Sequence, residues 1–313
     1  MLYRNLGPAG LKVSVIGLGT NRFGSAGVPD AQVKNILDYA VDAGINMLDS
    51  ANVYQGGHSE ETLGKALKGR WDKFVLATKV YSSVGPGPND KGGSRYHILN
   101  QIEASLRRLQ SDHIDLYYMH RWDEGTPIAE TLQVLDSLIS MGKVRYLGCS
   151  NYAAWQLAQA NLLAQFKGWT KFAALQSEYH LLNRKVEQEV LPYCRAENVG
   201  FIPYFPLAGG FLSGKYQRGQ GAPAGSRGQS SPYVQGFMTD ANYTIIEKLT
   251  AWSQAKGRGL NELAQAWLMA QPQVCSVITG ATKLEQVQAN VKAMDWVLSE
   301  QDLKEIGEVL GKA

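Results

Sequence analysis

An aspartate, a lysine and a histidine stand where three successive apolar runs of this chain end. Asp49 follows INML, Lys79 lies in VLATKVY and His120 follows LYYM. Tyr54 comes five residues after Asp49, inside DSANVYQGGHSEETLG (49–64), where a turn ordinarily favours small polar residues. Taken alone, each has an ordinary structural use: a turn acid, a buried ion pair, a packed ring, a histidine at a strand end. Their joint placement points to chemistry. A buried lysine beside a tyrosine favours the phenolate and lowers the phenol from its usual pKa of about 10. A carboxylate beside the lysine keeps it charged and oriented. A tyrosine tuned in this way can donate a proton near neutral pH. A histidine close by can polarise a carbonyl oxygen. Proton donation to that oxygen pairs with hydride delivery to the carbonyl carbon. None of these side chains is a hydride source, so the chemistry calls for a nicotinamide cofactor.

The convergence needs an architecture that brings strand ends together. Short β-rich runs alternate with helical patterns along the chain: VSVIGLG (13–19), INMLD (45–49), KFVLATKV (73–80), IDLYYMH (114–120), VRYLGCS (144–150), FAALQSEY (172–179), VGFIPYFPL (199–207) and VCSVITG (274–280). Between them, apolar residues recur at helical spacing. Val33, Ile36, Leu37, Ala40 and Val41 share one face, as do Ile98, Ile102, Leu106 and Leu109. Helices are predicted over 30–43, 59–68, 96–109, 153–165, 184–197 and 283–293, with another after Thr126 as N-cap and Pro127 in its first turn. Eight strand–helix units in some 280 residues favour a closed (β/α)8 TIM barrel over an open doubly wound sheet. No GxGxxG follows the first strand, which also counts against the open sheet. The start, LYRNLGPAGLKV, reads as a β-hairpin plugging the barrel floor. Helical runs at 240–256 and 260–270 fall between the seventh and eighth strands, and 299–310 follows the eighth unit. No linker or repeat is evident, so one domain is expected over 1–313. In such a barrel the site lies at the C-terminal strand ends. There the chain also places Ser150, Asn151, Gln176, Tyr204 and Gly280.

Bulk properties narrow the classes. The 313 residues are 44% hydrophobic and carry a formal net charge of +3, so neither a nucleic-acid nor a membrane partner is indicated. Cys149, Cys194 and Cys275 lie far apart with no CxxC, which suits a reducing cytoplasm and predicts no metal site. No targeting core or apolar run long enough for a membrane span is seen.

Eight segments together resemble the aldo-keto reductase superfamily: GLGT (17–20), DSANVYQGGHSEETLG (49–64), LATKV (76–80), SLRRLQSDHIDLYYMH (105–120), GKVRYLGCSNY (142–152), LQSEYHLL (175–182), PLAGGFLSGKY (206–216) and ITGATKLEQVQAN (278–290). They span nearly the whole chain in the family's order. The resemblance is to the branch of bacterial reductases and voltage-gated potassium channel β subunits. It implies a catalytic tetrad of Asp49, Tyr54, Lys79 and His120, with Tyr54 as proton donor. It implies that Ser150, Asn151 and Gln176 bind the nicotinamide carboxamide and that Tyr204 stacks on the ring. Gly19, Thr20, Asn21 and Asp49 would also face the cofactor. Phe205, Pro206, Leu207, Ala208, Gly209 and Leu212, with Lys215, would form the loop over the pyrophosphate, and Arg227 would lie near the adenosine. Gly280, Thr282, Gln286 and Asn290 would hold the adenine and its ribose phosphate, beside a helix N-terminus that supplies anion-binding amides. Tyr54, His120, Tyr81 and Trp122 would bound the substrate.

The chain departs from many relatives at Asn21, where they carry an apolar residue, and at Gln55, where they carry glycine. Ala289 replaces a frequent acid. Lys283, with Lys215 or Arg227, could still hold a 2′-phosphate, so NADP is expected rather than NAD. The expected activity is NADP(H)-dependent reduction of an aldehyde or ketone. Two alternatives stay open: a slow, cofactor-sensing regulatory protein of the channel β-subunit kind, and a phosphate-binding barrel isomerase. Oligomeric state is not legible.

Overall fold

The computed structural model describes residues 1–311. A two-stranded antiparallel hairpin, β1 (Tyr3–Asn5) and β2 (Lys12–Ser14), precedes eight parallel strands. These are β3 (Ile16–Gly19), β4 (Met47–Asp49), β5 (Val75–Val80), β6 (Ile114–Met119), β7 (Val144–Ser150), β8 (Ala174–Glu178), β9 (Gly200–Tyr204) and β10 (Val277–Gly280). They close into a barrel in chain order, with β10 hydrogen-bonded to both β3 and β9. The helices are α1 (Asp30–Asp42), α2 (His58–Ala66), α3 (Arg95–Leu109), α4 (Ile128–Ser140), α5 (Ala154–Lys167), α6 (Val190–Ala196), α7 (Arg227–Ser230), α8 (Pro232–Gln235), α9 (Asp240–Ala255), α10 (Leu260–Met269), α11 (Leu284–Lys292) and α12 (Glu300–Leu310). The (β/α)8 expectation is met, as are the hairpin and the extra helices α9, α10 and α12.

The strands are covered on both faces, and their runs are accordingly apolar almost throughout. On the helix side, Val33, Ile36, Leu37 and Ala40 of α1 and Ile98, Ile102, Leu106 and Leu109 of α3 are buried. Inside the barrel a second cluster joins Met47, Ala77, Leu116, Ala174, Ile202 and Ile278 to Leu6 and Val13 of the hairpin. The floor is therefore plugged. Gly7 lies at φ +54°, and a Cβ there would fall 2.4 Å from both the Ala173 carbonyl oxygen and the Gly200 nitrogen. Arg4 fastens the hairpin by donating to the carbonyls of Val274 (2.5 Å) and Met269 (2.7 Å).

Three local expectations are corrected. The run 13–19 is not one strand: Val13 pairs with Arg4 in the hairpin, and the barrel strand starts at Ile16. The predicted helix 184–197 is a 3-10 turn at Lys185–Glu187 followed by α6. Pro192 has no N–H and its ring clashes with the carbonyl four residues back, so the helix can restart only within a turn before it. Thr126 is not the N-cap of α4. Pro127 holds that position, and the Thr126 hydroxyl donates instead to Asp123 Oδ2 at 2.7 Å.

Candidate active site

Asp49 ends β4 and lies beside Gly19 on one side and Ala77 on the other. Lys79, two residues further along β5, is fully buried. Its Nζ donates to both Asp49 carboxylate oxygens and to the Ser50 carbonyl, each at 2.7 Å, and to Tyr54 Oη at 3.2 Å. The ammonium also sits 5.0 Å from the Tyr54 ring centroid, within cation–π range. Gln176 on β8 donates to Asp49 Oδ1 at 2.8 Å. The Tyr54 and His120 rings meet edge to face, 6.1 Å apart. The four residues singled out from the sequence are thus brought together.

The backbone explains how a tyrosine so near Asp49 reaches the lysine. Tyr54 opens a 3-10 turn, and Gln55, Gly56 and Gly57 then follow with φ of 52°, 66° and 99°. Three left-handed residues in a row reverse the chain into α2, and glycine adopts that geometry at least cost. Gln55 is the exception. Its Nε2 donates to the Asn21 carbonyl at 2.8 Å, tying the second strand–helix loop to the first. Beneath the turn, Ser59 Oγ donates to the Thr20 carbonyl at 2.8 Å. Buried Glu60 accepts from Arg108 Nε at 2.7 Å and Thr78 Oγ1 at 2.5 Å.

The electrostatics revise one expectation. Burial pulls the Lys79 ammonium down, but the Asp49 and Tyr54 charges outweigh it, and the lysine lies above its ordinary value. The Tyr54 phenol is raised, not lowered. Burial is the largest cause, and it exceeds the Lys79 effect, which the Asp49 charge further opposes. Tyr54 is therefore a fully protonated donor at neutral pH. His120 is pushed down to about 3 by burial and by the charges of Lys79 and Arg121, so its ring is neutral. Its Nδ1 is buried without a hydrogen-bond partner among the described residues.

A second network adjoins the first. Asn151, at φ +59°, donates to the His120 carbonyl (3.2 Å) and Ser150 Oγ (3.0 Å), and Tyr204 Oη donates to Asn151 Oδ1 at 2.9 Å. Tyr204 is raised to about 12, chiefly by burial. Trp122 packs edge-on against Tyr152 and Trp155 at 5.3 and 5.6 Å, and Tyr81 is half-buried.

The remaining sequence candidates lie along the β9 and β10 ends. Phe205, Ala208 and Gly209 all have positive φ. A Cβ on Gly209 would sit 2.5 Å from Val234 and 2.8 Å from the Phe205 ring, so the segment can close down only on glycine. Leu212 is buried and Leu207 half-buried, and the Leu207 carbonyl accepts from the amides of Gly210 (2.8 Å) and Leu212 (3.0 Å). Lys215 Nζ lies 3.5 Å from where a Gly210 Cβ would stand. Gly280 pairs in register with Gly19. The Thr282 amide donates to Gln286 Oε1 at 2.7 Å, and Asn290 is buried in α11. Arg227 feels the positive charge of Arg22. Among the described residues, neither arginine nor Lys215 nor Lys283 has a carboxylate partner. Uncompensated cations of this kind suit an anionic ligand.

Sequence reasoning missed the Gln55–Asn21 link, the Ser50 carbonyl ligand of Lys79, and Arg22. It also missed a conformational signature. Among the described residues, seven non-glycine residues have positive φ. Gln110 and Asn198 follow helices, while Gln55, Tyr81, Asn151, Phe205 and Ala208 all ring the barrel mouth. Strain of this kind gathers at functional sites, and side-chain type gives little sign of it.

Residues 15–310 match the aldo/keto reductase family. The chain belongs to that family. Over 303 residues it is 38% identical to a probable voltage-gated potassium channel subunit beta of Arabidopsis thaliana, covering 94% of this chain and 92% of that one. It is 35% identical over 321 residues to the uncharacterized oxidoreductase YrpG of Bacillus subtilis, covering 99% and 96%. It is 33% identical over 323 residues to L-glyceraldehyde 3-phosphate reductase of Escherichia coli, covering 98% and 92%. This aldo/keto reductase thus has oxidoreductases and channel-subunit proteins among its relatives along nearly full length.

Proposed function

We propose that this aldo/keto reductase is an NADP(H)-dependent enzyme that reduces an aldehyde or ketone to an alcohol. The observation that carries the proposal is the fully buried Lys79 ammonium held between the Asp49 carboxylate and the Tyr54 phenol. Bound NADPH supplies the hydride for the carbonyl carbon. Tyr54 Oη donates the proton to the carbonyl oxygen. Lys79 stabilises the phenolate left behind, and Asp49 keeps the lysine charged. A neutral His120 offers an N–H that orients the carbonyl. Ser150, Asn151 and Gln176 would hold the nicotinamide carboxamide, with Tyr204 against the ring and Gly19, Thr20 and Asn21 alongside. Phe205 to Gly209, Leu212 and Lys215 would cover the pyrophosphate. Arg227, Lys283, Gly280, Thr282, Gln286 and Asn290 would hold the adenosine end, and the free cations favour NADP over NAD. Tyr81 and Trp122 would wall the substrate space.

The test mixes the protein, NADPH and 4-nitrobenzaldehyde and follows NADPH absorbance. Steady consumption supports the reductase. A second reading, a slowly turning cofactor sensor, is favoured by the relatives named as potassium channel β subunits. It predicts a single turnover followed by arrest.

A further inference from the structure

Arg121 is the residue directly after His120 at the end of β6. It is exposed, between a half-buried histidine and a half-buried tryptophan. Among the described residues its guanidinium makes no ion pair. Three carboxylates of the barrel mouth are already engaged. Asp49 accepts from Lys79 and Gln176. Asp123 accepts from the amides of Gly93 (2.6 Å) and Gly125 (3.0 Å) and from Thr126. Glu178 accepts from His180 Nε2 at 3.0 Å and from the Tyr233 hydroxyl. Glu124, in the same loop as Arg121, is exposed to solvent. Arg121 leaves the β6 end one residue after His120, so it stands at the rim of the mouth beside that ring, and its charge acts on both His120 and Tyr204. Across the barrel, Arg22 adds a second positive charge, and Asn21 and Gln55 are neutral amides.

We propose that Arg121 recognises an anionic group, carboxylate or phosphate, on the carbonyl substrate. The proposal rests on the reductase reading and names its substrate class. The planar guanidinium fork matches either oxyanion in two parallel hydrogen bonds. Tyr54 and His120 then hold the carbonyl while Arg121 fixes the other end, and the guanidinium, with no ion-pair partner among the described residues, is available. A charge-assisted pair of this kind is worth at least about ten-fold in kcat/KM.

The experiment compares two matched pairs: 4-carboxybenzaldehyde with 4-nitrobenzaldehyde, and glyceraldehyde 3-phosphate with glyceraldehyde. The native enzyme should prefer the anionic member of at least one pair by about ten-fold or more, and the pair that shows it tells carboxylate from phosphate. Arg121→Gln should bring that ratio close to one, and Arg121→Lys should restore part of it. Added salt should shrink the native preference. A native ratio near one in both pairs, or a parallel fall on both members in Arg121→Gln, overturns the proposal. If no aldehyde is turned over, the reductase reading fails separately. Arg121 is then tested by titrating benzoate and inorganic phosphate against tryptophan fluorescence. Binding to the native chain but not to Arg121→Gln supports the anion site, and equal or absent binding refutes it.

Discussion

Replacing Lys79 with methionine keeps the length of the side chain and removes its charge from a fully buried position. Two effects follow, and they separate. Asp49 loses the ammonium that meets both its oxygens and keeps only the Gln176 amide. Breaking one side of a buried pair costs about 3–5 kcal/mol of stability. The phenolate formed on Tyr54 also loses a cation 3.2 Å away. At an effective dielectric of about 20, opposite charges at that distance attract by about 5 kcal/mol. The nearby Asp49 carboxylate cancels part of this, and if roughly half survives, the rate falls about a hundred-fold. Single-turnover reduction of 4-nitrobenzaldehyde with saturating NADPH measures the rate, and thermal unfolding measures the stability. The double variant Asp49→Asn with Lys79→Met removes both charges, so it should recover much of the stability and none of the rate. A Lys79→Met enzyme within a few-fold of native turnover would refute the electrostatic role of the lysine.

Two further outcomes are expected. Gly7→Ala should lower stability by more than about 2 kcal/mol, because φ is +54° and the new Cβ meets backbone at 2.4 Å; urea unfolding checks this. His120, held down to about 3, binds a proton more readily when unfolded, where its pKa is about 6.5. It therefore costs stability as pH falls from about 6.5 towards 3 and contributes no pH dependence above that window. His120→Asn should flatten this limb by up to one proton, as read from unfolding free energy against pH.

Much of the barrel is legible because the strand runs are largely apolar and the longer helices, α1 and α3 among them, carry a stripe at 3.6-residue spacing. The strand-end residues Asp49, Lys79 and His120 are legible for the same reason, since a charge closing an apolar run is conspicuous. The division of 13–19 is not, because Val13 packs into the barrel floor and Ile16 into its wall, and both look equally apolar. The direction of the Tyr54 shift escapes sequence reasoning too. It depends on depth of burial against a charge that Asp49 partly neutralises. Gln55 becomes intelligible only when its amide is seen bonded to the Asn21 carbonyl. Nothing in its residue type announces a left-handed backbone.

The central claim is that Tyr54 is the proton donor, and Tyr54→Phe tests it most directly. Removing one oxygen spares the ring, its packing on His120 and the Lys79–Asp49 pair. Steady-state reduction of 4-nitrobenzaldehyde should fall by at least about a hundred-fold, while NADPH binding, titrated by fluorescence, stays near that of the native enzyme. Native-like turnover in Tyr54→Phe would contradict the account.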